Sequence, residues 1–250
     1  MRAPLILGLV CCGMLAAAST ALSQTSGVLL AWDNCSGGGG VPDRTFACDA
    51  NTGFNYLYVS FVAPQGISMF VAMQADLDFS FGSTTTPPWW QVRNQTGQQN
   101  QCRNGALSAA ANSIGTGCVD FYQGNASGGV SSYQIAYGGQ PNRAHARLFF
   151  GVPSANGGPL VAGVEYYACR ALINNVKTVS TCAGCQTTAC ISGTSVQLLQ
   201  PNGTPGGNVT LAEPPPGRSR FVTWQNGATA NCGVVPARNA TWGTIKSLYR

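Results

Sequence analysis

The chain has 250 residues, of which 8% are charged, and its 13 Lys and Arg against 8 Asp and Glu give a net charge of +5 at neutral pH. So small and scattered a positive excess argues against a nucleic-acid partner. A surface kept soluble by amides and hydroxyls rather than by charges is typical of an extracellular structural or adhesive protein, and it disfavours a cytosolic enzyme.

An export signal is predicted at the N-terminus. Leu5 to Ala18 is an apolar run that is too short to span a bilayer and ends in small residues, which is the layout of a cleavable signal peptide. We expect cleavage after Ser23, which leaves residues 24–250 as a single β-rich domain without a stable membrane span. The mature protein is then secreted or held at the cell surface, with a periplasm as a stage in transit. Cys11 and Cys12 keep a lipid-anchored alternative open, but the residues before them fit a lipidation site poorly.

The remaining chain reads as a series of strands separated by Gly, Pro and Asn turns. The predicted strands are Val28 to Trp32, Tyr56 to Val62, Ile67 to Phe81, Ser131 to Tyr137, Arg143 to Phe150, Leu160 to Ile173, Thr194 to Leu199, Val209 to Leu211 and Phe221 to Trp224. Apolar and polar residues alternate throughout Ile67 to Phe81, which predicts one half-buried strand or two strands that meet at a bend. The pattern predicts an all-β fold, an antiparallel β-sandwich or a jelly-roll-like barrel, braced by disulfides.

Helix is expected in two places only. The Ala-rich stretch Leu107 to Ile114 predicts one or two helical turns. A short closing helix is predicted by the apolar spacing of Trp242, Ile245, Leu248 and Tyr249. Pro214 to Gly217 is interpreted as a rigid loop within the domain, with a linker to a small C-terminal domain as the alternative.

Nine cysteines follow the predicted cleavage site, the 11 of the whole chain less Cys11 and Cys12. In an exported chain their expected state is the disulfide, and Cys169, inside a predicted strand, is the one expected to stay free and buried. The eight expected to pair are Cys35, Cys48, Cys102, Cys118, Cys182, Cys185, Cys190 and Cys232. We expect Cys35 to pair with Cys48 and Cys102 with Cys118, each bridge closing a flexible loop at a gain of about 3 kcal/mol.

Cys182-Ala183-Gly184-Cys185 followed by Cys190 is the most specific local pattern. Structural disulfides that join these cysteines among themselves and to Cys232 are favoured. A zinc site would need a second close pair of cysteines, and a redox pair would need a thioredoxin-like βαβ unit; the sequence offers neither.

Charged residues on two predicted strands supply the next candidate site. His145 is the only histidine, and Arg143 and Arg147 flank it at strand spacing, so the three side chains share a face that could hold a sulfate, a phosphate or an acidic sugar. Asp76 and Asp78 share the polar face of the best-defined strand, where paired carboxylates could serve a glycosidase or part of a calcium site. An ordinary solvated face is the simpler interpretation of both patterns.

Aromatic residues provide a candidate ligand-binding site. Pro87-Pro88-Trp89-Trp90, with Tyr122, would stack against sugar rings if a stiff loop held the indoles in solvent. Core packing of at least one tryptophan is the competing interpretation.

Several of these segments together resemble a family of uncharacterised exported bacterial proteins. They are Cys182 to Cys185 with Cys190-Ile191, Pro88-Trp89-Trp90, Cys118 to Asp120 with Gly128-Gly129, and the ending Thr241 to Arg250. The resemblance covers most of the mature chain and implies export and the cysteine framework, with Cys169 as a departure. It implies no activity and no site. The ending is interpreted as a closing core segment, with an export sorting tag as the alternative.

The leading functional hypothesis is therefore a non-enzymatic secreted structural or surface protein, part of an extracellular assembly. No catalytic residue, metal site or cofactor is predicted, and the expected partners are other copies of the chain or extracellular polysaccharide. The alternatives are a carbohydrate-binding module that uses exposed tryptophan and an exported hydrolase of unrecognised type.

Overall fold

The computed structural model describes residues 26–94, 98–113, 115–227 and 232. Within them the chain is all-β, and two sheets pack face to face as a disulfide-braced sandwich, as the alternation predicts. The strands are β1 (Gly27–Trp32), β2 (Asp43–Arg44), β3 (Phe54–Val62), β4 (Ala72–Phe81), β5 (Leu107–Ala110), β6 (Val119–Asp120), β7 (Ser127–Ile135), β8 (Arg143–Gly151), β9 (Glu165–Asn174), β10 (Ala189–Leu199), β11 (Val209–Leu211) and β12 (Phe221–Trp224). No helix among the described residues is long and apolar enough to cross a membrane.

The smaller sheet has the strand order β1-β3-β9-β5, with β6 also beside β9. The larger sheet has the order β2-β12-β10-β4-β8-β7, with β11 also beside β10. Neighbours are antiparallel except β2 with β12 and β6 with β9. Because β12 pairs with β10, the chain on both sides of Pro214 to Gly217 belongs to the larger sheet.

The alternation of Ile67 to Phe81 produces β4, the strand that positions the candidate site. Its inner residues from Met73 to Phe81 are buried in the core, and its polar residues face outward. The strand begins only at Ala72, since Phe70 forms a separate bridge with Gly158. The segment therefore forms one strand that is shorter than predicted, because the residues before Ala72 contribute only this isolated bridge.

Strand β10 carries a bulge that shapes the outer face of the larger sheet. Its register with β4 shifts between Gly193 and Ser195, so Ser192 and Ser195 both lie opposite outward-facing residues of β4. Gly193 lies against β1 of the smaller sheet, where an added Cβ would be 3.1 Å from Val28 Cγ2. The absence of a side chain lets the edge of one sheet approach the other.

One secondary-structure prediction is wrong, and others fall outside the described residues. The stretch predicted as helix from Leu107 contains strand β5, because Leu107 to Ala110 pair with β9 and Leu107 is buried in the core. Tertiary pairing overrides the helix propensity of alanine. The predicted leader and closing helix lie outside the described residues.

The core between the sheets is rich in aromatic residues. The indole rings of Trp89 and Trp224 are 4.8 Å apart, those of Trp89 and Trp90 are 4.9 Å apart, and Phe46 stacks on Trp224 at 4.0 Å. Trp32 donates a 2.9 Å hydrogen bond from its indole nitrogen to the Thr223 carbonyl. Such rings bury large apolar areas and hold the sheets in one arrangement.

Four disulfides brace the sandwich: Cys35–Cys118, Cys48–Cys185, Cys102–Cys182 and Cys190–Cys232. The eight cysteines expected to pair do so, and Cys169 is free and buried. The expected pairs Cys35–Cys48 and Cys102–Cys118 are wrong, as is pairing of Cys182 and Cys185 within their own cluster. The expected bond from this cluster to Cys232 is present, and Cys190 is the residue that forms it.

The first three bridges span 83, 137 and 80 residues, so they join regions that only the tertiary fold brings together. In the chain-entropy model, closures of this length contribute about 4–5 kcal/mol each.

Candidate functional site: the outer face of the larger sheet

Charged side chains converge on the outer face of β4, β8 and β10. In the strand register Asp78 lies opposite His145, and Asp76 lies opposite both Arg147 and Ser195. Directly opposed residues of antiparallel strands project to the same side, so these five side chains form one cluster.

His145 is held between two carboxylates. Its Nδ1 lies 2.7 Å from Asp78 Oδ1 and its Nε2 lies 3.1 Å from Asp76 Oδ1, while the Tyr137 ring stacks on the imidazole at 4.5 Å. Hydrogen bonds to Asp76 and Asp78 raise the pKa of His145 to about 9 against the opposing effect of burial. With an acceptor on each side, the ring is an imidazolium at neutral pH, and we call this arrangement of His145, Asp76 and Asp78 the clamp.

Asp76 is the centre of the cluster. Arg147 donates to its Oδ1 at 2.8 Å and the Ser195 hydroxyl donates to its Oδ2 at 3.1 Å. Burial raises the pKa of this carboxyl, but the hydrogen bonds from His145 and Arg147 outweigh it and hold the pKa well below its usual range. Asp76 therefore remains ionised under all ordinary conditions.

The clamp does not have the geometry of a general base. A histidine that accepts a proton needs a free ring nitrogen within reach of the reacting group, and both nitrogens of His145 already face carboxylates. Ser195 donates to Asp76 rather than facing the imidazole, so no Ser-His pair forms. The cluster joins three strands by charge-assisted hydrogen bonds, which is a bracing role.

The sequence grouped Arg143, His145 and Arg147 as an anion-binding stripe. The three do alternate with buried residues on β8 and share its outer face. However, His145 is already paired with Asp76 and Asp78, and Arg147 is already paired with Asp76. Of these three residues, Arg143 alone has no carboxylate partner among the described residues.

Beside the clamp lies a cavity of about 930 Å³, within the ordinary size range of ligand sites. It is lined by Asp78, Ser80, Arg143, Ser192 and Thr194 of the sheet, by Phe221 at the start of β12, and by residues of the preceding loop 213–220. The sequence prediction missed this site because the loop and the sheet face are far apart in the chain.

The prediction that Trp89, Trp90 and Tyr122 form a ligand platform is wrong, because all three side chains are buried. Their side chains are 0%, 1% and 1% exposed. A short 3-10 turn over Pro88–Trp90 directs both indoles into the core, where Trp89 donates to Thr178 Oγ1 at 2.9 Å. The competing interpretation of core packing is the one that the structure shows.

One group of potential metal ligands occurs among the described residues: Cys35, Cys118 and Glu165. The two sulfurs are bonded to each other, and Glu165 accepts hydrogen bonds from Ser60 and Arg218. Thiolates are the zinc-binding form of cysteine, so this disulfide-bonded trio does not fit a metal site.

Comparison with protein-family models, with curated proteins and with solved structures finds no match for this chain.

Proposed function

We propose that the protein is an exported, non-enzymatic structural or surface protein that forms part of an extracellular assembly. The observation that carries this proposal is a set of three exposed apolar side chains at one end of the smaller sheet, Phe54, Val176 and Val179, which are 51%, 41% and 36% exposed. Exposed apolar clusters of this kind on soluble proteins mark interaction surfaces.

We call these three side chains the end patch, and hydrogen bonds join the two chain segments that carry them. The Asn175 amide donates to the Gly53 carbonyl at 3.0 Å, and the Val179 amide donates to Asn51 Oδ1 at 2.7 Å. The two loops that carry Phe54 and the valines are therefore neighbours. Tyr56 extends the patch along β3, with its ring 6.3 Å from that of Phe54.

A second copy of the chain is the partner that fits this surface best. Only 8% of the residues are charged and the net charge is +5, so electrostatic repulsion between copies is weak. Four disulfides suit an oxidising extracellular setting, which supports export. The clamp supports a non-enzymatic role, because it engages the only histidine on both sides.

The test is light scattering of the mature protein across a wide concentration range. We expect the mass to rise with concentration and the rise to weaken in Phe54→Ser. The matched control is Phe149→Ser, since Phe149 is 39% exposed on the other sheet. A strictly monomeric protein, or equal loss of association in both variants, would contradict the proposal.

A further inference from the structure

The cavity on the larger sheet has an ordered polar floor. The strand register sets His145, Asp78, Ser192 and Phe221 in one row across β8, β4, β10 and β12. The next row begins with Arg143 opposite Ser80. With strands about 4.8 Å apart, the floor from β8 to β12 spans roughly 14 Å, enough for an extended ligand.

Hydroxyl and carboxylate groups dominate this floor. Ser80, Ser192 and Thr194 contribute hydroxyls, and Asp78 contributes a carboxylate of which one oxygen binds His145. Thr194 is oriented by donating to the Asp76 carbonyl at 3.1 Å. Short, oriented groups of this type exchange hydrogen bonds with a ligand that is itself rich in hydroxyls.

The far end of the floor is apolar. Phe221 is 37% exposed and lines the cavity together with Pro42 and Pro214. An aromatic ring beside a hydroxyl-rich floor is the combination that binds a sugar, whose ring has an apolar face and a polar edge.

Charge distinguishes Arg143 from the other arginines of the cavity. Arg218 is paired with Glu165, and Arg220 lies 3.2 Å from Glu213 Oε1. No described carboxylate pairs with Arg143, although it lies on the same face as the clamp. A planar guanidinium without a partner is suited to a carboxylate or sulfate of a ligand.

We propose that this cavity binds an acidic oligosaccharide, with Arg143 on its anionic group, the hydroxyls of β4 and β10 along its edge and Phe221 against a sugar ring. None of the residues that line the cavity belongs to the end patch, so this binding does not depend on self-association.

The test is a calorimetric titration of the mature, oxidised protein with a hexamer of galacturonic acid. A glucose hexamer serves as the neutral comparison, and galacturonic acid monomer and inorganic sulfate as the minimal anions. We expect the acidic hexamer to bind more tightly than each of the other three. Arg143→Gln should weaken binding by about tenfold to a hundredfold, the range of a charged hydrogen bond.

Lys177→Gln is the matched control, because Lys177 is exposed, lies outside the cavity and carries the same charge. It should leave the affinity unchanged, while Phe221→Ser should reduce it several-fold with the disulfides intact. The proposal is overturned if the acidic hexamer does not bind, if Arg143→Gln binds like the parent, or if both charge variants lose equally. It is also overturned if sulfate binds as tightly as the hexamer, which would indicate a simple anion site.

Discussion

Raising the pH from about 6 to about 9 should lower the unfolding free energy, because over this range the unfolded chain releases the His145 proton while the folded protein largely keeps it between Asp76 and Asp78. The pKa of His145 is about 9 in the folded protein against an ordinary value of 6.5. Since the folded pKa is the higher one, the stabilisation is complete below 6.5 and is lost as the pH rises through 9. This difference in proton affinity corresponds to about 3 kcal/mol.

The free energy assigned to His145 already includes its hydrogen bond to Asp76. The same bond lowers the pKa of Asp76, so that shift does not contribute a second time. Two other groups contact the clamp: Arg147 donates to Asp76, and the Tyr137 ring stacks on the imidazole. Neither displaces the two carboxylates from His145. We therefore expect the two carboxylates to set the direction of the effect.

Two measurements follow this titration. His145 is the only histidine, so a single imidazole signal in NMR reports it, and its midpoint should lie near pH 9. Urea unfolding followed by the fluorescence of the buried tryptophans should show the loss of about 3 kcal/mol from pH 6 to pH 9. Asp78→Asn should lower the midpoint, because it removes one of the two carboxylates.

His145→Gln is the control for other titrating groups, and it should abolish this pH dependence. A midpoint at or below 6.5 would refute the reasoning, since 6.5 is the value of an unperturbed histidine. An equal slope of stability against pH in the parent and in His145→Gln would refute it independently.

Two further predictions concern the core and the cysteines. Arg103 is 0% exposed, donates to the carbonyls of Trp89, Val176 and Asn174 and stacks on the Trp89 ring at 3.7 Å. Arg103→Met leaves these three carbonyls without their donor, so it should cost about 3–5 kcal/mol in urea unfolding. A cost below about 1 kcal/mol would contradict the role assigned to these bonds. Cys169 is buried and burial raises its pKa, so alkylation followed by intact mass should label no thiol in the native protein and one after denaturation without reductant, in a chain that starts after Ser23 and so lacks Cys11 and Cys12. Labelling of more than one thiol in this unreduced chain would contradict the disulfide framework.

The sequence could predict the strands that carry the site but not their register. The alternation around Asp76 and Asp78 correctly predicts one outward face, and the spacing around His145 correctly predicts another. That Asp78 lies opposite His145 depends on the pairing of β4 with β8, which joins residues 67 positions apart. No local pattern specifies such a contact.

The wrong disulfide pairs have the same cause. Loop closure favours cysteines that are near in sequence, and it led to the pairing of Cys35 with Cys48. In the folded chain Cys35 meets Cys118, next to β6, which lies beside β9 in the smaller sheet. Likewise, Pro88-Trp89-Trp90 looks like an exposed loop in the sequence, and only the surrounding core shows why both rings turn inward.

Asp78 connects the clamp to the proposed saccharide site. It binds His145 at 2.7 Å and also lines the cavity, so its negative charge lies between the imidazolium and any ligand there. An anionic group would be attracted to His145 only weakly, because the clamp supplies two carboxylates to one imidazolium. Arg143, one row further along the same strand, forms no ion pair with a described carboxylate. The clamp thus fixes the strand geometry and also leaves Arg143 as the residue that selects for negative charge.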